Sequence, residues 1–366
     1  GLVVDALGGA PGVYSARYGG ESCQSFLCPE LDWSSTQVSH HNIVAPGIKA
    51  NSRSDFFVYA SFENASGAYT HYELRFPGPD GGVPVTAFTS STTEARQVSG
   101  VSDDDYWLSY RSCATHIVNG SSTRHCYGVG LDGGPSNPWL YAVWPVSSEL
   151  AWAVGYPMAI HQWVREADGG EAMYEVTDPS TYPNMYLSDV YVTPSGQVYA
   201  VGGNYGHPSS NLATGYIFNH LGQRVGSPTI VDRYGDGFVS IGGVEEQVYV
   251  LARDNDAFVS NRRGQILARQ EDGGFDVVYT APFGLARLDV LPTGEVFAVG
   301  DNAQRIVYFD GNAWGDFELP TSRFRGNIRW EAVKGTPDGL ILSGREINTE
   351  TDTATAVIHT YRRQGQ

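Results

Sequence analysis

Residues 187–202, LSDVYVTPSGQVYAVG, decide the fold of this chain. The same plan recurs at residues 285–300, LARLDVLPTGEVFAVG. In both segments apolar and polar residues alternate on either side of a Pro-x-Gly tripeptide, a pattern typical of two strands joined by a tight turn. The sequence therefore predicts an antiparallel hairpin that is repeated along the chain.

Weaker copies extend this hairpin over the whole sequence, at residues 2–16, 140–155 and 328–344. The predicted start of the second strand serves as a common reference point in each copy. It falls at Val13, Phe56, Tyr106, Ala151, Val198, Val248, Val296 and Leu340. The intervals run from 43 to 50 residues, which leaves no room for a linker, so residues 1–366 are predicted to form a single domain.

Asp-Gly dipeptides mark a further turn in several repeats, because Asp-Gly tolerates the positive φ angles of a tight hairpin. They occur at Asp80-Gly81, Asp132-Gly133, Asp168-Gly169, Asp272-Gly273 and Asp310-Gly311. Four short antiparallel strands in each repeat of 40 to 50 residues are typical of a propeller blade. The prediction is an all-β chain that forms a single β-propeller of eight four-stranded blades. Seven blades are the alternative, because repeats two and three match the pattern least well.

The repeats resemble those of bacterial propellers whose blades read W-A-V-G, then a loop, an apolar strand, D-G and W. The matching stretches are residues 152–155 (WAVG), 199–202 (YAVG) and 297–300 (FAVG), the last followed by Asp310-Gly311 and Trp314. The resemblance implies a propeller fold and an exported location. It implies no particular chemistry, since one fold serves many functions.

Residues 1–21, GLVVDALGGAPGVYSARYGGE, look like the substrate-loop motif of the inosine triphosphate pyrophosphatase family. That family has an α/β fold of about half this length, and its remaining elements have no counterpart here. The same residues also fit the local repeat, with Pro11-Gly12 as the turn. We interpret the likeness as coincidental.

Composition and charge limit the function classes. The formal net charge is −17, and only Lys49 and Lys334 are lysines among 23 basic residues. Such an acidic chain repels a phosphate backbone, so nucleic-acid binding is not expected. No stretch approaches the roughly 18 consecutive apolar residues that a membrane span needs.

Four cysteines form two pairs that are local in sequence, Cys23 with Cys28 and Cys113 with Cys126. An even number in this arrangement predicts two short-range disulfides. Free buried thiols are the alternative. Disulfides favour an oxidising compartment, so the predicted location is secreted, periplasmic or cell-surface.

Motifs for metals and catalysis are weak. His71, His125, His161 and His359 fall in the predicted third strands, where packing explains their recurrence. The carboxylate groups at residues 103–105 and 254–256 lack the graded spacing of a calcium loop. The sequence predicts no metal and no cofactor, with a structural Ca²⁺ as the alternative.

The predicted ligand site lies where second strands end and long loops begin, because binding residues concentrate on loops held by a rigid scaffold. Its candidate residues are Tyr18, Arg111, Tyr156, Tyr205, His207, Arg253 and Arg345. Guanidinium groups bind carboxylates in bidentate fashion, and aromatic rings stack on apolar sugar faces. These types indicate an acidic glycan or a protein partner. The alternative is that each arginine pairs with a nearby carboxylate of the protein itself.

Two functions fit this pattern. The first is a non-catalytic binding protein, which the lack of a catalytic constellation favours. The second is a lyase or hydrolase acting on acidic polysaccharide, in which Tyr18, Tyr205, His207 or His116 would act as the base beside an arginine.

Overall fold

The computed structural model describes most of the chain. The described residues are 2–4, 14–18, 27–35, 38–39, 43–53, 55–63, 69–77, 85–91, 95–102, 104–110, 113–126, 139–156, 159–176, 185–204, 215–220, 229–234, 237–253, 263–300, 304–319, 327–348 and 353–363. Every regular element within these ranges is a β-strand. Over the same ranges no helix is long and apolar enough to cross a membrane.

Four strands precede the first complete blade: β1 (Leu2–Val4), β2 (Tyr14–Tyr18), β3 (Leu27–Ser35) and β4 (Val38–Ser39). Six sheets of four strands follow, in which hydrogen-bonded neighbours succeed one another along the chain. We number these sheets as blades I to VI.

Blades I to III begin the series. Blade I comprises β5 (Ile43–Ser52), β6 (Asp55–Glu63), β7 (Tyr69–Pro77) and β8 (Val85–Ser91). Blade II comprises β9 (Ala95–Ser102), β10 (Asp105–Tyr110), β11 (Cys113–Val118) and β12 (Ser121–Cys126). Blade III comprises β13 (Trp139–Ser147), β14 (Leu150–Tyr156), β15 (Ala159–Arg165) and β16 (Glu171–Glu175).

Blades IV to VI repeat the plan. Blade IV comprises β17 (Met185–Val192), β18 (Val198–Asn204), β19 (Gly215–His220) and β20 (Thr229–Tyr234). Blade V comprises β21 (Phe238–Val244), β22 (Gln247–Arg253), β23 (Gly264–Arg269) and β24 (Phe275–Ala281). Blade VI comprises β25 (Leu285–Val290), β26 (Val296–Gly300), β27 (Arg305–Phe309) and β28 (Trp314–Glu318).

A seventh sheet, the terminal sheet, joins both ends of the chain. It contains β29 (Asn327–Thr336), β30 (Gly339–Asn348) and β31 (Thr353–Arg363), and its strand order is β1-β2-β3-β31-β30-β29 with β4 also paired to β31. The pairing of β3 with β31 is antiparallel, with Leu27 opposite Arg363. The last repeat thus takes its fourth strand from the N-terminal region.

In the described part of the chain, the all-β propeller has six four-stranded blades beside the seven-stranded terminal sheet, so the expected count of eight four-stranded blades, and the alternative of seven, are both wrong. The predicted hairpin at residues 2–16 does form, with Leu2 opposite Ala16. This hairpin does not form a separate blade, because the free N–H and C=O groups at the edge of a sheet pair with the next available strand. Here that strand belongs to the last repeat, so the first and last repeats share one sheet.

The structure divides into two compact units. The first contains residues 1–95, 287–291 and 295–366, and the second contains residues 96–286 and 292–294. In the first unit, Phe297, Trp330 and Leu342 belong to one apolar cluster shared by blade VI and the terminal sheet. In the second, Trp152 and Leu187 pack between blades III and IV. The organisation of residues 1–366 as a single domain stays a prediction.

A glycine near the end of the second strand, which ends the A-V-G motif in blades III and IV, has a structural cause. Gly155, Gly202 and Gly344 each lie opposite a β-bulge, where the first strand of the sheet contains one extra residue. In each case a Cβ atom would overlap a backbone carbonyl oxygen of that first strand. Only glycine permits this close approach of two backbones.

The first strand of each blade is also an edge strand, and polar side chains satisfy part of its free edge. Asp189 of β17 accepts hydrogen bonds from the Ile241 backbone N–H (3.1 Å) and the Ser240 hydroxyl (3.1 Å) of β21. Asp289 of β25 likewise accepts from the Gly335 backbone N–H of β29, at 2.8 Å. These carboxylates link the first strands of neighbouring sheets.

Arginines at the ends of third strands form a second kind of link. The Arg363 guanidinium lies 5.8 Å from the Phe297 ring centroid and 2.9 Å from Glu295 Oε1. Arg269 of β23 lies 5.8 Å from the Tyr199 ring of blade IV. A planar guanidinium can stack on a ring and bind a carboxylate at once, which an ammonium group does less well. This dual contact gives a structural use for a basic set made almost entirely of arginine.

The predicted disulfide between Cys113 and Cys126 is present, and it joins directly opposed residues of β11 and β12. Cys28 is also disulfide-bonded. Its predicted partner, Cys23, lies outside the described residues. Within the described part no cysteine is free.

His161 of β15 is completely buried in blade III. Burial lowers the pKa of His161 to about 3, and a hydrogen bond with the Tyr174 backbone offsets only part of this effect. The imidazole is therefore neutral in the folded protein at all but strongly acidic pH.

We expect the free energy of unfolding to decrease as the pH falls below 6.5. The unfolded chain protonates His161 near 6.5, whereas the folded chain resists protonation until about pH 3. Stability should therefore fall by up to about 1.4 kcal/mol per pH unit within this window. Urea unfolding at pH 7.5, 6.0 and 5.0 measures the slope, which should be shallower in His161→Gln. Equal slopes in the two proteins would contradict the assignment.

Candidate functional site

Four of the seven predicted ligand residues lie in the described part of the chain. Tyr18 ends β2, Tyr156 ends β14, Arg253 ends β22 and Arg345 lies near the end of β30. Arg111, Tyr205 and His207 lie outside the described residues. Tyr18 and Arg345 belong to the first unit, while Tyr156 and Arg253 belong to the second.

Arg345 forms an ion pair within the protein. Its Nε lies 3.2 Å from Glu331 Oε1, and the side chains are only 16% and 11% exposed. Glu331 is the extra residue of the β29 bulge, between Trp330 and Ala332. This is the arrangement that the alternative interpretation predicted for these arginines, so the Arg345 guanidinium is held by the fold.

Tyr156 belongs to a cluster of aromatic rings at the end of blade III where β13 begins and β14 ends. It lies opposite Trp139, the first residue of β13. The Arg96 Cζ, at the start of β9, is 5.9 Å from the ring centroids of both Trp139 and Tyr141. We call Arg96, Trp139, Tyr141 and Tyr156 the aromatic cluster; all four side chains are half-buried.

Local backbone geometry sets the position of Tyr141. Tyr141 is the extra residue of the β13 bulge, between Leu140 and Ala142. The Ser109 hydroxyl of blade II donates a hydrogen bond to the Tyr141 carbonyl oxygen at 3.1 Å. Bulges commonly redirect side chains next to binding sites. Here the bulge sets Tyr141 and Trp139 edge to face, with ring centroids 6.2 Å apart.

The aromatic cluster is suited to binding rather than to bond chemistry. Three half-buried rings offer apolar area at low conformational cost, and the guanidinium adds a charge that orients a ligand. Sequence reasoning found Tyr156 but missed Arg96, Trp139 and Tyr141. The prediction covered the ends of second strands, whereas these three residues lie at the start of first strands. The aromatic run at residues 139–144, WLYAVW, was the signal that could have revealed them.

A second group of polar and aromatic side chains lies between blades II and III. The His116 ring stacks on Trp107 with centroids 4.2 Å apart, and Trp163 meets both rings edge on at 4.8 Å. His125 Nε2 lies 2.8 Å from Glu171 Oε2. We call Trp107, His116, His125, Trp163 and Glu171 the imidazole cluster.

Two more charged groups complete the electrostatics of the imidazole cluster. Asp105 Oδ1 lies 2.8 Å from His116 Nε2, and Arg165 Nη2 donates to Glu171 Oε1 at 3.1 Å. Burial lowers the pKa of His125, attraction by Glu171 offsets part of this, and repulsion by His116 adds to it. The strand prediction for His125 is wrong, since it lies in the fourth strand β12. His71, His161 and His359 do lie in third strands.

One serine–histidine pair also occurs in blade I. Ser61 Oγ lies 2.8 Å from His71 Nδ1, and the Ala95 backbone N–H donates to the same hydroxyl at 3.1 Å. Neither Ser61 nor His71 is exposed to solvent. No substrate reaches such a hydroxyl, so the pair satisfies buried polar groups.

Among the described residues, no group of three or more His, Cys, Asp or Glu side chains is arranged to hold a metal ion. Of the predicted acidic groups, Asp104 and Asp105 are described, whereas Asp103, Asp254 and Asp256 are not. Asp105 contacts His116 instead. The prediction of no metal and no cofactor, and its alternative of a structural Ca²⁺, are both untested.

No family model and no curated protein matches this chain. Solved structures do match, at low identity. YCF48 bound to D1 peptide is similar with a TM-score of 0.57, 12% identity and coverage of 96% of this chain and 99% of that one. A streptogramin B lyase structure is similar with a TM-score of 0.54 and 11% identity, and the match covers 87% of this chain and 94% of that one. The WD40 β-propeller domain of Doa1 is similar with a TM-score of 0.54 and 10% identity, and the match covers 91% of this chain and 98% of that one. At these identities the likeness shows the fold alone, which is that of a β-propeller.

Proposed function

We propose that this protein is a non-catalytic binding protein that recognises a peptide segment of another protein through the aromatic cluster. The observation that carries the proposal is the Arg96 guanidinium 5.9 Å from the ring centroids of both Trp139 and Tyr141, with Tyr156 on the neighbouring strand opposite Trp139. Trp, Tyr and Arg are the residue types that dominate the energetics of protein interfaces.

The partly buried state of these side chains supports binding. Rings that the fold already holds lose little conformational entropy when a ligand covers them. One propeller of similar fold is known in complex with a peptide, which makes a peptide a reasonable first probe. The disulfide between Cys113 and Cys126 favours an extracytoplasmic or cell-surface setting for the protein.

The sequence also suggested two alternatives, an acidic glycan as the ligand and an enzyme that acts on acidic polysaccharide. An acidic glycan would use the same chemistry, with sugar faces on the rings and a carboxylate toward Arg96. A polysaccharide lyase or hydrolase also needs a base beside the bound sugar. The bases proposed for it at Tyr205 and His207 lie outside the described residues.

The test is selection from a phage-displayed peptide library, followed by calorimetry with the selected peptide. Trp139→Ala should weaken binding by at least about 2 kcal/mol, roughly 30-fold, as expected for a central aromatic contact. Trp314→Ala is the matched control, because Trp314 is a half-buried tryptophan of β28 that stacks on Phe309 with centroids 4.8 Å apart. It should leave binding unchanged.

Two outcomes would contradict the proposal. One is that no peptide is selected. The other is that the selected peptide binds equally to wild type and Trp139→Ala. Binding to an array of acidic oligosaccharides that depends on Trp139 would instead support the glycan alternative.

A further inference from the structure

At the interface between blades II and III, arginines lie over Trp139, Tyr141 and Trp163, but the buried ring of Trp107 contacts two imidazoles instead. Between blades IV and V, Arg269 covers Tyr199. Between blade VI and the terminal sheet, Arg363 covers Phe297 and Tyr308. Arginine keeps its charge at every physiological pH. Between blades II and III, by contrast, Trp107 contacts the imidazoles of His116 and His125, and imidazole is the side-chain group that titrates nearest to physiological pH.

The imidazole cluster joins outer strands of the two blades. His125 lies on β12 and Glu171 on β16, and their 2.8 Å contact spans the interface. The side chains of His116, His125 and Glu171 are 1%, 11% and 17% exposed. A charge that appears on His125 is thus shielded from water and acts across the contact between the blades.

The aromatic cluster spans the same two blades. Arg96 lies on β9 of blade II, whereas Trp139 and Tyr141 lie on β13 of blade III. The Val143 backbone N–H of blade III also donates to Gln97 Oε1 of blade II, at 2.9 Å. A change in how blade II meets blade III therefore moves the guanidinium relative to the rings it covers.

We propose that the imidazole cluster is an acid-sensitive latch between blades II and III that controls ligand binding at the aromatic cluster. While the His125 imidazole is uncharged, it packs against Trp107 and Trp163 and the latch is closed. In mild acid, protonated His125 places a mostly buried cation beside His116 and near Arg165, and the contact loosens because burial outweighs the attraction by Glu171. The control of binding rests on the proposed function, whereas the latch does not.

The direction of the pH effect follows from the described charged groups near His125. Glu171 of β16 favours the charged form, while His116 of β11 opposes it. Asp105 of β10 contacts His116, and Arg165 of β15 donates to Glu171, so these two charges affect His125 indirectly. Burial outweighs the attraction, so the pKa of His125 is lowered. The contribution of His125 to the interface is complete above pH 6.5 and is lost as the pH falls through its folded-state pKa.

Hydrogen exchange of the ligand-free protein tests the latch. After correction for intrinsic rates, amides of β12 and β16 should exchange about tenfold faster at pH 5.5 than at pH 7.5. His125→Gln should remove most of this difference. His359→Gln, a change to a buried histidine of the terminal sheet, should preserve it. Because His161 lies in blade III and is also buried, His161→Gln is measured in parallel and should leave the response of β12 intact.

A second measurement does not depend on any variant folding. The imidazole proton of His125 is followed by NMR in the wild-type protein as the pH is lowered. A titration midpoint below 6.5 supports the latch. A midpoint at or above 6.5, or equal exchange of β12 and β16 at the two pH values, overturns it.

The effect of the latch on ligand binding is measured as the affinity for the selected peptide at two pH values. Its affinity for wild type should fall at least about fivefold from pH 7.5 to 5.5, and the affinity for His125→Gln should change much less. An equal fall in both proteins overturns the coupling. If no peptide binds at all, the proposed function fails, while the exchange and NMR results still decide the latch.

Discussion

Gly155→Ala is expected to lower the free energy of unfolding by about 3 kcal/mol or more, or to prevent folding. The Cβ of alanine would overlap the carbonyl oxygen of Trp139, a backbone atom that cannot rotate away. The bulge that carries Tyr141 would have to rearrange, because Gly155 is paired with Leu140 immediately before it. Urea denaturation measures the loss, and circular dichroism reports whether the variant folds.

Gly315→Ala is the matched control for this substitution. Gly315 lies in β28, and the nearest atom to a new Cβ there is on the Phe317 ring at 3.5 Å, an ordinary contact. This variant should stay within about 0.5 kcal/mol of wild type or be slightly more stable. Similar losses from the two substitutions would contradict the close-approach explanation of the A-V-G glycine.

Arg363→Ala is expected to cost about 3 to 5 kcal/mol. Its guanidinium and the Glu295 carboxylate are 2.9 Å apart, with side chains only 10% and 13% exposed. Removing the arginine leaves a mostly buried carboxylate without its cation. The Tyr308 hydroxyl also donates to Glu295, and burial, then Glu295, raises the pKa of Tyr308. This hydroxyl therefore stays a neutral donor, and a phenol carries no positive charge that could replace the guanidinium.

The neighbouring residue gives a strict control, since Arg362 is exposed. Arg362→Ala should change stability by no more than about 0.5 kcal/mol. The double variant Arg363→Met, Glu295→Gln should recover most of the loss, because it removes both charges and keeps an acceptor for Tyr308. Thermal or urea unfolding measures all three proteins, and an Arg363→Ala protein as stable as Arg362→Ala would refute this account.

The local elements were predictable from sequence to a useful degree. The predicted start at Val198 coincides with the start of β18, and Phe56 and Leu340 lie one residue inside β6 and β30. The disulfide between Cys113 and Cys126 was also predictable, because the two residues close a short hairpin. Alternation, turn residues and cysteine spacing are local signals, and each reports on residues that are close along the chain.

The candidate site was predicted only in part. Tyr156 was found because it ends a second strand, but its companion Arg96 starts a first strand in another blade. Arg96 reaches Trp139 and Tyr141 only because the two sheets pack together, and no repeat pattern encodes that contact. Arg345 had the expected residue type at the expected end of a strand, yet Glu331, the extra residue of a bulge, holds it in an ion pair.

The sequence by itself determined that this protein is a chain of β-hairpins that forms a propeller, since strand and turn preferences act over a few residues. Tertiary structure alone decided the number of four-stranded blades and the partners of the polar groups. The N-terminal strand β3 pairs with β31, more than 300 residues further along the chain, because a free sheet edge accepts any strand of suitable register. Likewise, His125 and Glu171 acquire their coupling only when two blades pack and exclude water from the contact between them.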